Sequence, residues 1–408
     1  MAQDADVRLR PSWLLLGPAF VAAIAYVDPG NVAANVSAGA QFGFLLVWVI
    51  VVANIMACLV QYLSAKLGLV SGQSLPEAVG GRMRRPTRLG YWLQAELVAM
   101  ATDLAEVVGG AIALYLLFDL PLLTGGVITG AVSLLLLVIK DRRGQQMFER
   151  VITGLLLVIA IGFCTSLFVV APPASEAAAG LVPMFAGTES VLLAAAMLGA
   201  TVMPHAVYLH SGLTRDRHGH PEPGPMRRML LRATRWDVGI AMVVAGAVNL
   251  SMLLVAATNL QGRDNTDSIE GAHAAVNDTL GPTVALLFAI GLLASGLASS
   301  SVGAYAGQMI MQGLLHVSIP MVARRLITLV PALVILAVGV DPSRALVLSQ
   351  VVLSFGIPFA LIPLVRLTSD RAVMGDDTNH RVTTALGWLV AALITVLNVV
   401  LIYLTVKG

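Results

Sequence analysis

Charge is scarce in this sequence. Asp, Glu, Lys and Arg make up only 12% of 408 residues and hydrophobic residues 57%, where an ordinary soluble domain carries about 25% charged residues. That balance excludes a soluble globular protein and implies a polytopic membrane protein. An outer-membrane barrel is excluded as well, because the apolar runs are long and lack an alternating strand pattern. The chain is therefore expected to be an all-α integral membrane protein. Cysteine is nearly absent. Cys58 and Cys164 both fall inside apolar runs, where they read as small packing residues, and neither a disulfide nor a thiol metal site is expected. The polar start, Met1 to Arg10, lacks the apolar core and cleavage site of a signal peptide, so no removed leader is expected. His205 and His210 lack the glutamate of a zinc-protease helix, and no Gly-rich phosphate loop precedes a Lys-Ser/Thr pair. No repeated filter or ring of like charge marks a channel. An enzyme, a resident cofactor and a nucleic-acid partner are thus not expected, and the bilayer is the expected surroundings.

What is present is a series of apolar spans. Eleven are predicted, over 13–38, 42–70, 90–118, 121–140, 148–171, 189–213, 232–259, 282–314, 321–340, 343–366 and 383–405. Charge asymmetry tests the count. With the N-terminus in the cytoplasm, 22 of the 25 Lys and Arg fall on that side, from Arg8 and Arg10 onward, and only Arg263, Arg344 and Lys407 fall outside. An odd number of spans puts the C-terminus outside. The polar loops are short, apart from a basic one, Arg215 to Arg228, and an acidic outer one, Arg263 to Asp278. In the latter, Asp264, Asp267, Glu270 and Asp278 either attract cations or simply form a solvated loop. The run Ser295 to Ser301 predicts close helix packing through small residues.

Two spans carry interruptions. In the first, Ala25-Tyr26-Val27-Asp28-Pro29-Gly30-Asn31 places a carboxylate at membrane depth beside a proline and a glycine. A charge there costs at least about 2.5 to 3.5 kcal/mol, so an intramembrane acid is read as functional. Proline removes a backbone donor and glycine tolerates non-helical torsions, so the helix should open here and its freed carbonyls point at the acid. In the sixth span, Gly199-Ala200-Thr201-Val202-Met203-Pro204-His205 is a second interruption. Each opens a run of five spans, and five is odd, so the second run is inverted relative to the first. The reading is one transporter domain over residues 1–408, with repeat one at about 13–171, repeat two at about 189–366 and an extra helix at about 383–405.

The candidate inner shell is the Asp28 carboxylate, the Asn31 amide, the Met203 sulfur and the carbonyls of Ala25 and Ala200. Oxygen alone would suit magnesium or calcium, whereas a thioether is soft and favours transition metals. Met203 is otherwise a gap-filler, as methionine often is. Its place before a span-breaking proline, facing an acid-bearing break, favours the ligand role. Intramembrane acids cluster on the third span, where Glu96, Asp103 and Glu106 share one helix face. Arg324 and Arg325 at the start of the ninth span are their natural partners. These groups, with His205 and His210, form either a proton relay or a set of ion pairs and hydrogen bonds that lock the bundle.

Asp28-Pro29-Gly30-Asn31 with Met203-Pro204-His205 resembles the Nramp family of proton-coupled divalent metal transporters, in its eleven-span bacterial manganese form. The resemblance covers nearly the whole chain. It implies a LeuT-type fold and uptake of manganese, with iron and related ions tolerated, in symport with protons across a bacterial plasma membrane by a functional monomer. It implies that the matching acid, amide, methionine and alanine carbonyls bind the metal, joined by Gln350 when the site faces outward. It favours the relay, with the third-span acids and ninth-span arginines as the proton exit. Two alternatives stay open. An Nramp-related magnesium transporter would lack the site methionine, and a sodium-coupled amino-acid transporter of the same fold would have glycine-rich breaks without a fixed anion.

Overall fold

A computed structural model describes residues 16–263, 268–317 and 319–407. Residues 13–15 of the first predicted span, Arg8 and Arg10, and Asp264 and Asp267 of the outer loop lie outside the described residues. The chain runs α1 (Pro18–Ile24), a 3-10 turn (Ala25–Val27), α2 (Pro29–Phe42), α3 (Val47–Ser71), α4 (Leu75–Gly80), α5 (Arg85–Phe118), α6 (Leu122–Arg143), α7 (Gln145–Val169), α8 (Ala174–Ala179), α9 (Gly187–Thr201) and α10 (Pro204–His218). It continues with α11 (Pro225–Asn259), α12 (Ile269–Leu280), α13 (Pro282–Leu315), α14 (Met321–Val338), α15 (Pro342–Thr368), α16 (Arg371–Met374), a second 3-10 turn (Gly375–Asp377) and α17 (Arg381–Lys407). Among the described residues, nine helical segments are long and apolar enough to cross a membrane, one of them the pair α9 and α10 taken together. The first predicted span is instead divided between α1 and α2, and the ninth is α14.

Proline sets many of the starts. It occupies one of the first two positions of α1, α2, α5, α10, α11, α13 and α15, where its missing N–H would have no helical partner anyway. The two divided helices run through the middle of the bundle. Every residue of α2 from Pro29 to Ala40 is buried, and α10 is buried from Pro204 to Thr214. By contrast α6, α7 and α17 present Leu135, Leu157, Ile161, Phe168 and Val396 outward, as helices facing lipid would. The small-residue run of α13 does pack closely: a side chain on Gly296 would meet the backbone of Gly110 on α5.

The acidic outer loop differs from its reading as a solvated loop. Ser268 caps α12 by accepting from the Gly271 N–H at 3.0 Å, and Ile269, Ala272, Ala275 and Val276 are buried. Their three- and four-residue spacing forms an apolar stripe that the acids on the other face disguise. Cys58 and Cys164 are free and half-buried.

Candidate metal site and proton route

Asp28 sits where the first helix opens. Its backbone is extended (φ −69°, ψ 167°), and it is the N-cap of α2. One carboxylate oxygen accepts from the Asn31 backbone N–H and from Asn31 Nδ2, both at 2.8 Å. Pro29 is seated against α5 at Gly109, where any side chain would strike the ring. The freed carbonyls do not all turn toward the acid, contrary to the expectation from the break. That of Tyr26 accepts from Asn249 Nδ2 at 2.8 Å, and that of Val27 accepts from the Ser295 hydroxyl at 2.6 Å. A buried carbonyl takes the nearest donor, and α11 and α13 supply one each.

The second break mirrors the first. Helix α9 ends with the Val202 N–H bonded to the Leu198 carbonyl at 2.8 Å, and Met203, with extended backbone, is the N-cap of α10. Pro204 lies against Gly356 of α15. Asn31 joins the two breaks, because its Nδ2 also donates to the Ala200 carbonyl at 2.9 Å. Gln350 of α15 spans them too. Its side chain occupies the space that a side chain on Gly30 would need, and its carbonyl lies against Gly199. Gln350 Nε2 is 3.5 Å from the second Asp28 oxygen. Asp28, Asn31, Met203, Ala25, Ala200 and Gln350 are all buried, none more than 1% exposed. Two oxygens of this set, Asn31 Oδ1 and Gln350 Oε1, have no hydrogen-bond partner among the described residues.

No group of three or more His, Cys, Asp or Glu among the described residues is arranged to hold a metal. The groups brought together here are one carboxylate, two amide oxygens and the Ala200 carbonyl, with Met203 buried at the neighbouring break. The negative ends of two half-helices favour a cation here. Ala25 is the C-cap of α1 and Ala200 lies in the last turn of α9, where carbonyls carry the negative end of the helix dipole. Cavities of about 450 and 590 Å³ open toward the two ends of the bundle, and neither is lined by Asp28. The site is closed on both sides.

On α5 the acids are divided in their partners. Arg325 pairs with Asp103 at 2.7 Å and donates to the Ser133 and Ser300 hydroxyls. Arg324 holds both oxygens of Glu96, at 2.8 and 3.1 Å. Glu106 has no arginine within ion-pair distance among the described residues, although Asp103 and Arg325 are among its charged neighbours. Both its carboxyl oxygens are buried without a hydrogen-bond partner among the described residues, against Gly303. The two histidines go separate ways. His205 Nδ1 is hydrogen-bonded to Thr102 on α5 at 3.3 Å, next to Asp103, whereas His210 Nδ1 donates to Gln61 on α3. Gln61 in turn donates to the Tyr26 hydroxyl. Tyr26, Gln61, Thr102 and Asn249 were given no role from the sequence, although Gln61 and Asn249 are amides inside apolar spans and thus carried a signal, and Ser295 was read there as a packing residue.

A bundle of apolar helices with two broken members and a buried carboxylate between them is a secondary transporter of the LeuT type. Its fold is shared with the nucleobase-cation-symport-1 family transporter MHP1, with a TM-score of 0.60 at 16% identity over 95% of this chain and 90% of that one. The family model described as natural resistance-associated macrophage protein-like, Nramp, matches residues 19–404. The chain is 74% identical over 408 residues to the divalent metal cation transporter MntH of Mycobacterium tuberculosis, covering 100% of this chain and 95% of that protein. It superimposes on a manganese transporter of Eremococcus coleocola with a TM-score of 0.85 at 31% identity, over 96% of this chain and 87% of that one. The chain belongs to the Nramp family, as its two motifs implied.

Proposed function

We propose that this protein imports divalent transition metals, manganese first and iron and related ions with it, in symport with protons. The observation that carries this is the Asn31 amide. Its nitrogen is held by two acceptors, Asp28 and the Ala200 carbonyl, which fixes its oxygen as the unpaired buried atom beside the carboxylate. A buried acceptor without a donor costs about 1 to 3 kcal/mol. A cation removes that cost and balances Asp28 at once. Met203, buried at the second break, makes the set soft enough to prefer manganese over magnesium. The fixed Asp28 anion disfavours an amino-acid substrate, whose carboxylate it would repel.

The metal is met by Asp28, Asn31, Met203 and the Ala25 and Ala200 carbonyls, with Gln350 joining from the outer side. Protons leave by way of Asp103, with Glu96, Glu106, Arg324 and Arg325 as the rest of the path and His205 as its link to the second break. His210 belongs to a separate group with Gln61 and Tyr26. The N-terminus is cytoplasmic and the C-terminus external, eleven crossings are made as a 5+5 inverted repeat plus a last helix, and a monomer suffices. Transport is alternating access: α1 and α10 tilt about the breaks to open one side at a time.

The test is manganese uptake into proteoliposomes with and without an inward proton gradient, with internal pH recorded. Uptake should rise with the gradient and acidify the lumen. Asp103→Asn should abolish the metal-linked acidification, and its persistence in that variant would refute the proposed proton path.

A further inference from the structure

Among the described residues Asn249 and Ser295 hydrogen-bond to other groups than those proposed to hold the metal, and each takes up one carbonyl of the first break. We infer that they are specificity-positioning residues, which set the metal preference of the site by withdrawing hard oxygen donors from it. This rests on the reading of the site as a transition-metal site.

The opening of a helix frees carbonyls, and each is a hard, neutral oxygen of the kind that calcium and magnesium collect in numbers. Of the four consecutive carbonyls from 25 to 28, three are bonded elsewhere. That of Tyr26 accepts from Asn249, that of Val27 from Ser295 and that of Asp28 from the Val32 N–H at 3.1 Å. The Ala25 carbonyl, at the start of the 3-10 turn, is the one assigned to the metal. The two side-chain donors are built for the task. Asn249 and Ser295 are 1% and 0% exposed, and they stand on α11 and α13, outside both broken helices. Asn249 is itself fixed, because its Oδ1 accepts from Asn35 Nδ2 at 3.0 Å. Its nitrogen must then face Tyr26. Asn249 thereby ties α2, beyond the break, to the turn before it.

Removing either donor leaves a buried carbonyl unsatisfied. The partner that remains for its lone pair is a cation in the site, and one more hard oxygen favours calcium and magnesium over manganese. A soft ligand at Met203 selects transition metals only while few hard oxygens compete with it. Selectivity in this site is thus set by what is held away as well as by what is offered.

The experiment is manganese uptake by proteoliposomes under an inward proton gradient, with calcium as competitor, for wild type, Ser295→Ala, Asn249→Ala and Ser295→Thr. Each alanine variant should lower the calcium concentration that halves uptake by about fivefold, the factor equivalent to one net hydrogen bond. Ser295→Thr keeps the hydroxyl and should discriminate as wild type does. An unchanged half-inhibiting calcium concentration in the alanine variants overturns the inference, even if their uptake is slower, because a merely structural role moves rate and not preference. A threonine variant that behaves as alanine overturns it too. The two alanine changes act on different helices and different carbonyls, so one that fails to fold leaves the other to decide. Failure of wild type itself to prefer manganese would instead remove the transition-metal reading.

Discussion

Asp28 and Asp103 are both buried carboxylates, and their surroundings give them different work. Among the described residues Asp28 is met by amide nitrogens, and in the proposed function its charge is left for a mobile cation. Asp103 is met by a resident one, Arg325. Removing one partner of a buried pair costs about 3 to 5 kcal/mol, so Arg325→Ala should be strongly destabilised, seen as a lower melting temperature in detergent. Asp103→Asn should be destabilised by a similar amount, because Ser133 and Ser300 meet N–H groups of Arg325 but leave its buried charge without a counter-charge. Asp28→Asn should remain folded and lose manganese binding, measured by calorimetry; binding retained at wild-type strength would exclude Asp28 from the site. The sequence made these acids legible because charge in an apolar span stands out. It did not make the hydroxyls legible. Thr102, Ser133, Ser295 and Ser300 look like ordinary helix-packing residues, and only the partner across the interface tells which of them holds a charge or a carbonyl.

At the scale of elements, the long spans were readable because about twenty apolar residues have one use in a membrane protein. The breaks were readable from Pro29, Gly30 and Pro204. What supports the breaks was not. Gly109 and Gly356 receive the two prolines, and a glycine in a small-residue helix has no mark that says which neighbour it faces. Gly109→Ala drives a methyl group into Pro29, so a loss of about 1 to 3 kcal/mol is expected, with manganese uptake impaired; thermal unfolding and transport check both. The short helix α4 was unread because six residues are too few to show a helical period, yet its start is held by the Ser74 N–H, which donates to the Glu77 carboxylate at 2.8 Å. Burial works against the charge on Glu77, but the Ser74 N–H and the Arg215 guanidinium outweigh it and hold the carboxyl below its ordinary value of 4.5. Its folded-state pKa is thus the lower one. The stability it adds is complete above pH 4.5 and is lost as pH falls through the depressed value. Glu77→Gln should therefore melt below wild type at neutral pH, and the gap should close in acid. A gap that widened on acidification would contradict this assignment.

For the whole molecule, the closed site defines the state. Asp28, Asn31 and Met203 have no exposure, and the cavities at the two ends stop short of them. A carrier must pass through such a state, whereas an open channel need not. The core around the breaks is polar where they meet and apolar elsewhere, so opening to either side requires α1 or α10 to leave partners such as Asp237, which accepts from the Gly17 and Ala19 N–H groups at 3.0 and 2.9 Å. The overall class was legible from composition, and the family from two short motifs, because few arrangements put a carboxylate and a thioether at paired helix breaks. In the proposed function the specificity hangs on Met203. Its direct test is manganese uptake under an inward proton gradient with excess magnesium, for wild type and Met203→Ala. The account predicts that wild type takes up manganese despite magnesium and that the variant loses this discrimination. Equal competition by magnesium in the wild type would contradict it and make Met203 a packing residue.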